Sequence, residues 1–336
     1  MEETANKYYT WIDTAKCIGI FLVIYGHGGL AIPPIKELIY TFHMPLFFML
    51  SGLLYHPISL KQTLKKDWHT LIIPYFLLNL LCLLPFLFNI FKNTFTFEGL
   101  FQRLGAIVLG LGYEHGFWIP VSTPCWFLIS LFFARIIFAI FYKNLSNKTI
   151  LMICLISIAS TLFLHYQDID LLIPIDSALL AMPFLCIGYK MKPILLKYDI
   201  TRNKCIMFCI TVLSFLLMCF VCYFNGMVDI NKCIYGKSII SFYLGGTLGA
   251  LSIYALSKCF YIRGGYCHTL AIGTLLIIGL NLLMIECIKK VCFIIFPQIE
   301  MSFLTGLFIA VVCLLLFYPI ILMVRRYFPI ILGGRK

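Results

Sequence analysis

Residues 205–224 read CIMFCITVLSFLLMCFVCYF, twenty consecutive positions without a charged side chain. That is the length a helix needs to cross the hydrocarbon core of a bilayer, about 20 residues. A helix apolar on every side has no face to offer water, so its surroundings are lipid or protein. The stretch holds one Cys-x-x-Cys, Cys219 and Cys222, in a setting where cysteines pack as small hydrophobes.

The rest of the chain repeats this pattern. Of 336 residues, 62% are hydrophobic and 12% charged, against about 45–50% and about 25% in soluble domains. A water-soluble globule is excluded. The apolar residues suffice for about ten spans joined by short connections, with no room for a sizeable extramembrane domain. Windows of about 19 residues place the spans near 11–31, 36–55, 70–91, 124–142, 149–165, 171–190, 205–224, 237–257, 269–287 and 302–324. The expected fold is all-α: a polytopic membrane protein of about ten transmembrane helices forming one integral domain over residues 1–336. The longest connection, 92–123, has its own apolar stretch at Leu104–Leu111 and suits a re-entrant or surface-lying helix.

The net charge is +12. In a soluble protein it would suggest nucleic acid, but here the basic residues flank the apolar runs, which is the pattern of membrane orientation. Of the 26 Lys and Arg, 17 fall on the N-terminal side of the expected spans and 7 on the other, so both termini are expected in the cytoplasm, with the clusters facing anionic lipid headgroups. Residues 1–7 are acidic and polar, without a basic leader pattern, so the first span is expected to be retained. Fifteen cysteines, mostly inside apolar runs, are not a disulfide framework. The halves show no repeat of the kind that inverted-repeat transporters carry.

Ionisable side chains inside a span are costly, so each needs a partner or a task. Asp13, Lys16 and His27 share one face of the first span. Asp13 and Lys16 are close enough to pair, whereas His27 lies about 16 Å farther along the axis. The second span carries His43 at a similar depth beside Pro45, and Gly26, Gly28 and Ser51-Gly52 leave room for close helix approach. Two imidazoles on adjacent antiparallel helices can share one proton near neutral pH, as a general base requires. Arg135 falls in the inner half of the fourth span, as a phosphate-attracting group or a snorkelling cation. Trp126 reads as an interface anchor or a sugar platform. Asp168, Asp170 and Asp176 sit at the outer ends of spans five and six, where solvated capping is favoured over metal binding, and no metal site is expected.

The same residues carry a resemblance. Trp11-Ile12-Asp13-Thr14-Ala15-Lys16, then Gly26-His27, then Phe42-His43-Met44-Pro45-Leu46-Phe47-Phe48-Met49-Leu50-Ser51-Gly52 resembles the opening signature of the bacterial acyltransferase 3 family, especially its fucose 4-O-acetyltransferase-like branch. Ile73-Pro74-Tyr75, Cys125-Trp126-Phe127-Leu128 and Pro183-Phe184-Leu185-Cys186-Ile187-Gly188-Tyr189 are similar to later family blocks in the same order. The resemblance implies a multi-pass protein of the bacterial cytoplasmic membrane. Its implied activity moves an acyl group, usually acetyl, from cytoplasmic acetyl-CoA to a hydroxyl of a surface polysaccharide or lipid-linked saccharide, with no bound cofactor and no nucleic acid partner. It assigns the histidine matching His27 to catalysis and the basic residue matching Lys16 to the donor site. Lys16 stands where relatives often have Arg, and Asn281 follows Gly273-Thr274-Leu275 where many have a histidine.

Thioesters release thiolate readily, so the demanding step is removal of the acceptor proton. The resulting expectation makes His27 the base, with His43 orienting it or steadying the oxyanion. Lys16, Asp13 and Arg135 form the donor site, and Ser51, Trp126 and Asn281 are candidates for the acceptor pocket. A covalent acyl-enzyme on Ser51 or a cysteine is an alternative route. A glycan or lipid exporter is the alternative function.

Overall fold

The computed structural model describes residues 9–28, 31–88, 95–197, 203–262, 264–298 and 302–334. These residues form thirteen α-helices with no strand longer than an isolated bridge: α1 Thr10–His27, α2 Pro33–Leu53, α3 Leu60–Asp67, α4 Ile73–Leu87, α5 Phe97–Leu109, α6 Trp126–Ile140, α7 Asn147–Tyr166, α8 Ile175–Lys192, α9 Lys204–Asn225, α10 Ile239–Cys259, α11 Gly265–Ile272, α12 Thr274–Ile295 and α13 Phe303–Tyr327. The protein is an all-α polytopic membrane protein. Seven of its helical segments are long and apolar enough to cross a bilayer, and α11 with α12 makes an eighth if that bent pair is one span.

The sequence count of ten adds α1 and α2, which fall short of the same measure because Asp13, Lys16, His27, Lys36, Glu37 and His43 dilute their hydropathy. Both are nevertheless central. Helix α2 packs on α1, α8 and α10, and α1 also touches α11, α12 and α13. Helices α7 and α9 are peripheral, and α9 exposes Leu213, Leu216, Phe220 and Tyr223, the lipid-facing set expected of an outer helix.

Small residues set the closest crossings. A Cβ on Gly52 would strike the Leu185 carbonyl, and one on Gly188 would strike the Met49 carbonyl, so α2 and α8 meet backbone to backbone. The expected span 269–287 is not straight. It breaks by 82° between α11 and α12, at Gly273, where Ile321 of α13 occupies the place a Cβ would need.

The long connection after α4 contains α5, capped by Thr96 at its start and by Gly110 in the left-handed region at its end. Phe97, Phe101, Leu104 and Val108 stand exposed at helical spacing, the apolar face of a surface-lying helix. All fifteen cysteines are free, and Cys222 packs in the core against the Thr41 hydroxyl at 3.3 Å.

Candidate active site

His27 occupies the last turn of α1, and His43 the middle of α2. The two helices approach closely because a Cβ on Gly19 would press on Leu46 and Phe47, and one on Gly26 on Ile39. The two imidazoles stand 6.2 Å apart between centroids and nearly perpendicular, at 83°. Tyr40, one turn before His43, sets its ring 4.9 Å from His43 and 6.0 Å from His27. His43 is 3% exposed and its Nδ1 lies 2.9 Å from the Ile39 carbonyl. A carbonyl only accepts, so Nδ1 carries the hydrogen and the neutral ring offers Nε2 as an acceptor.

Both histidines line a cavity of about 570 Å³, within the range of about 300–1,000 Å³ usual for small-molecule sites. Val23, Met44 and Ile278 form its inner wall. Two loops close over it. One spans residues 110–124 and contributes Tyr113, Glu114 and Thr123; the other spans 226–238 and contributes Asp229, Asn231 and Lys232. The second loop is a tight hairpin in which Asp229 and Ile234 exchange backbone hydrogen bonds of 2.7 and 2.8 Å. Gly226 and Gly236, with φ of 75° and 78°, make its turns possible. Asn231 Nδ2 donates to the Gly112 carbonyl at 3.1 Å and so ties the hairpin to the first loop.

Trp126 is 4% exposed and forms part of the cavity wall, so it is not an exposed interfacial anchor. Behind that wall a polar bracket joins α4, the 110–124 loop and α12. The Ser122 hydroxyl donates to the Gly279 carbonyl at 2.8 Å, and the Ser122 N–H to Asn79 Oδ1 at 3.3 Å. Asn281 is fully buried there and donates to the Ile278 carbonyl at 2.7 Å, which places it behind a cavity residue and not in the cavity. Its Oδ1 is buried without a partner.

The remaining sequence candidates lie elsewhere. Ser51 is two turns beyond His43, with its hydroxyl buried and unpartnered, and does not line the cavity. Asp13 is paired with His268 of α11, Oδ2 to Nδ1 at 2.8 Å. Beside this pair Cys267 donates to the Cys17 sulfur at 2.9 Å, and the Thr14 hydroxyl accepts the Ile262 N–H at 3.1 Å. The Lys16 end of α1 is thereby bound to α11 and to the segment before it. Arg135 belongs to a different neighbourhood. Its Nε lies 2.9 Å from Oδ2 of Asp67 at the end of α3, and its guanidinium lies 6.0 Å from the Tyr55 ring. Helix α6 packs on α3 and α8, whereas α1 packs on α2 and α10 to α13.

Sequence reading missed Tyr40, Tyr113, Asn231 and Asp229 as cavity residues and His268 as the partner of Asp13. Tyr40 was within reach, because three residues before His43 is the same helical face. The hairpin residues carried no local signal, since their position depends on the Asn231 to Gly112 contact. Among the described residues no group of three or more His, Cys, Asp and Glu could hold a metal ion. Burial, together with the Asp170 carboxylate that accepts from it, pushes the Tyr113 hydroxyl well above the usual phenol range. Burial and the neighbouring Asp176 and Asp170 likewise raise the Cys233 thiol, which stays protonated and is a poor nucleophile.

Apolar helices around a partly open cavity, where two imidazoles meet aromatic and charged side chains, define a polytopic membrane protein with a candidate reaction or binding site. A family model described as an acyltransferase domain, that of acyltransferase 3, matches residues 9–322, and the chain belongs to that family. No curated protein and no solved structure matches the chain significantly.

Proposed function

We propose that this membrane acyltransferase is an O-acetyltransferase. It takes acetyl from cytoplasmic acetyl-CoA and transfers it to a hydroxyl of a surface polysaccharide or lipid-linked saccharide in the bacterial cytoplasmic membrane. The observation that carries this reading is the meeting of His27 and His43 in the wall of a 570 Å³ cavity. His27 acts as the base. It removes the hydroxyl proton as the acceptor oxygen attacks the thioester carbonyl. The new C–O bond forms, the C–S bond breaks, and the proton passes from His27 to the departing thiolate. His43, held through Nδ1 by the Ile39 carbonyl, offers Nε2 as an acceptor. With the two ring centres 6.2 Å apart the imidazoles do not bond directly, so His43 orients His27 through a water or the acceptor hydroxyl between them, and a neutral ring in that tautomer has no hydrogen left for an oxyanion.

The acceptor enters beneath the two loops, with Tyr40 and Trp126 as apolar ring surfaces for a sugar. The donor arrives from the opposite end, where Lys16 attracts its phosphates. Eleven residues separate Lys16 from His27, about 16 Å along a helix, a length the pantetheine arm of coenzyme A can reach across. The exporter alternative loses ground to family membership.

The test is incorporation of labelled acetyl into glycan by membranes holding equal amounts of parent protein or His27→Ala. The expected result is a loss of about 10²- to 10⁴-fold, the usual share of general base catalysis. Undiminished incorporation rules out His27 as base. Labelled protein trapped without acceptor would instead support a covalent acyl-enzyme.

A further inference from the structure

A second cavity of about 260 Å³ opens on the same end of the bundle, lined by Thr161, His165, Asp168, Asp176 and Tyr235 together with Asp170. Lys232 and Ile234 belong to the walls of both cavities. Tyr113, from the wall of the first, donates its hydroxyl to both carboxylate oxygens of Asp170 at 2.8 Å. The Lys232 ammonium lies 5.9 Å from the centre of the Tyr113 ring. The seam between the cavities is therefore a built contact.

Resting on the reading of the histidine cavity as the acceptor site, we infer that the acceptor is an uncharged saccharide of two or more units. The unit to be modified lies against His27, and its neighbour lies in the second cavity. Size, surface chemistry and charge support this. The smaller cavity falls just below the range of about 300–1,000 Å³ for whole ligands, which suits one ring of a longer molecule. Its walls combine carboxylates, which accept hydrogen bonds from sugar hydroxyls, with the His165 and Tyr235 rings, set 5.0 Å apart at a steep angle. Such ring faces pack against the C–H faces of a sugar.

Charge narrows the class. Across both walls Lys36 and Lys232 face Glu114, Asp168, Asp170, Asp176 and Asp229, two cations against five carboxyl groups. The chain as a whole is +12, so these cavities reverse the sign of the protein around them. A uronate or phosphorylated sugar would bring like charge against these walls, where Asp176 is buried and Glu114, Asp168 and Asp170 are exposed, so the repulsion is of one sign and strongest at low salt. A neutral sugar meets no such barrier.

The experiment displays the full-length protein in lipid nanodiscs to an array of bacterial surface saccharides, neutral and uronate-bearing, of one to four units. Each retained saccharide is then incubated with labelled acetyl-CoA. Two variants accompany the parent. Asp168→Asn removes a charge at a position with φ of 53°, which Asn tolerates. Tyr235→Leu removes the ring while keeping apolar bulk. The expected result is retention of neutral saccharides of two or more units. Tyr235→Leu weakens that retention about tenfold, the equivalent of roughly 1.4 kcal/mol, and leaves single sugars unaffected. Asp168→Asn improves retention of uronate-bearing saccharides. Preference of the parent for uronates, indifference to chain length, unchanged retention in both variants, or no retention of any saccharide overturns the inference. Acetyl uptake by an acceptor whose retention ignores both substitutions removes the second cavity alone. Retention that follows the pattern but leads to no acetyl uptake removes the transfer reading.

Discussion

Arg135 Nε lies 2.9 Å from Asp67 Oδ2, and Asp67 is completely buried. Helix α6 is thereby charge-paired with the end of α3. Removing one member of a buried pair leaves the other charge stranded, typically at a cost of about 3–5 kcal/mol, whereas removing both is far milder. Arg135→Leu should therefore lower the yield of folded protein sharply, and Arg135→Leu combined with Asp67→Leu should restore most of it. Size-exclusion profiles in detergent would show this. If Arg135 also holds the phosphates of coenzyme A, the restored double variant will fold yet show a raised KM for acetyl-CoA. A normal KM would confine Arg135 to the α3–α6 contact.

The hydrogen bond from His43 to the Ile39 carbonyl leads to a second expectation. In His43→Asn the side-chain amide can still donate to that carbonyl, but nothing replaces Nε2. If His43 orients the base, kcat falls about tenfold to a hundredfold, within the lower part of the range for acid–base groups, with acceptor KM nearly unchanged. A rise in KM at constant kcat would show that His43 serves binding.

Much of this arrangement was open to sequence reading, for identifiable reasons. Uncharged runs such as 205–224 declare spans through composition alone, and His27 and His43 stood out because ionisable groups are rare in such runs. What stayed hidden depends on contacts distant in the chain. Asp13 meets His268, 255 positions later, a contact that no local spacing announces. The bend at Gly273 depends on Ile321 filling the space beside it. Asp229 reaches the histidine cavity only because the hairpin is pinned to Gly112. Periodicity reports which face of a helix is apolar, and it carries no information about which loop folds over which helix pair.

Asp229 gives a pH dependence with a definite sign. Burial pushes its carboxyl above the usual carboxylate range, while the Asn231 N–H and the Lys232 and Lys36 charges pull the other way without cancelling the rise. A carboxyl with a higher value in the folded state favours folding when protonated. Its stabilising contribution is fully present below the unfolded value, about 3.9, and is lost as pH rises through the folded value. Asp229→Asn keeps an acceptor for the Asn231 N–H without the buried charge. Its melting midpoint should equal or exceed the parent's at pH 7.5, and the difference should shrink as pH falls toward 4. A variant less stable than the parent at neutral pH and level with it in acid would show a carboxylate that is stabilising, contrary to this account.

The α2–α8 crossing makes the sharpest steric prediction, because Gly52 and Gly188 each face a carbonyl of the opposite helix. A clash with backbone cannot be relieved by a rotamer change, so even Ala at either position must push the helices apart. Overpacking a tight core typically costs about 1–3 kcal/mol, and here the displaced helix is the one that carries His43. Gly188→Ala should therefore lower both the melting midpoint and acetyl transfer. Gly116→Ala offers the contrast: nothing lies within 4 Å of its Cβ position, although its φ of 56° adds local backbone strain. It should leave the α2–α8 contact intact and lower the midpoint by less. Cysteine crosslinking between α2 and α8 at lipid-remote positions would report the separation directly. Crosslinking and transfer at parental levels in Gly188→Ala would show that the crossing is looser than its geometry implies, and that the position of His43 does not depend on it.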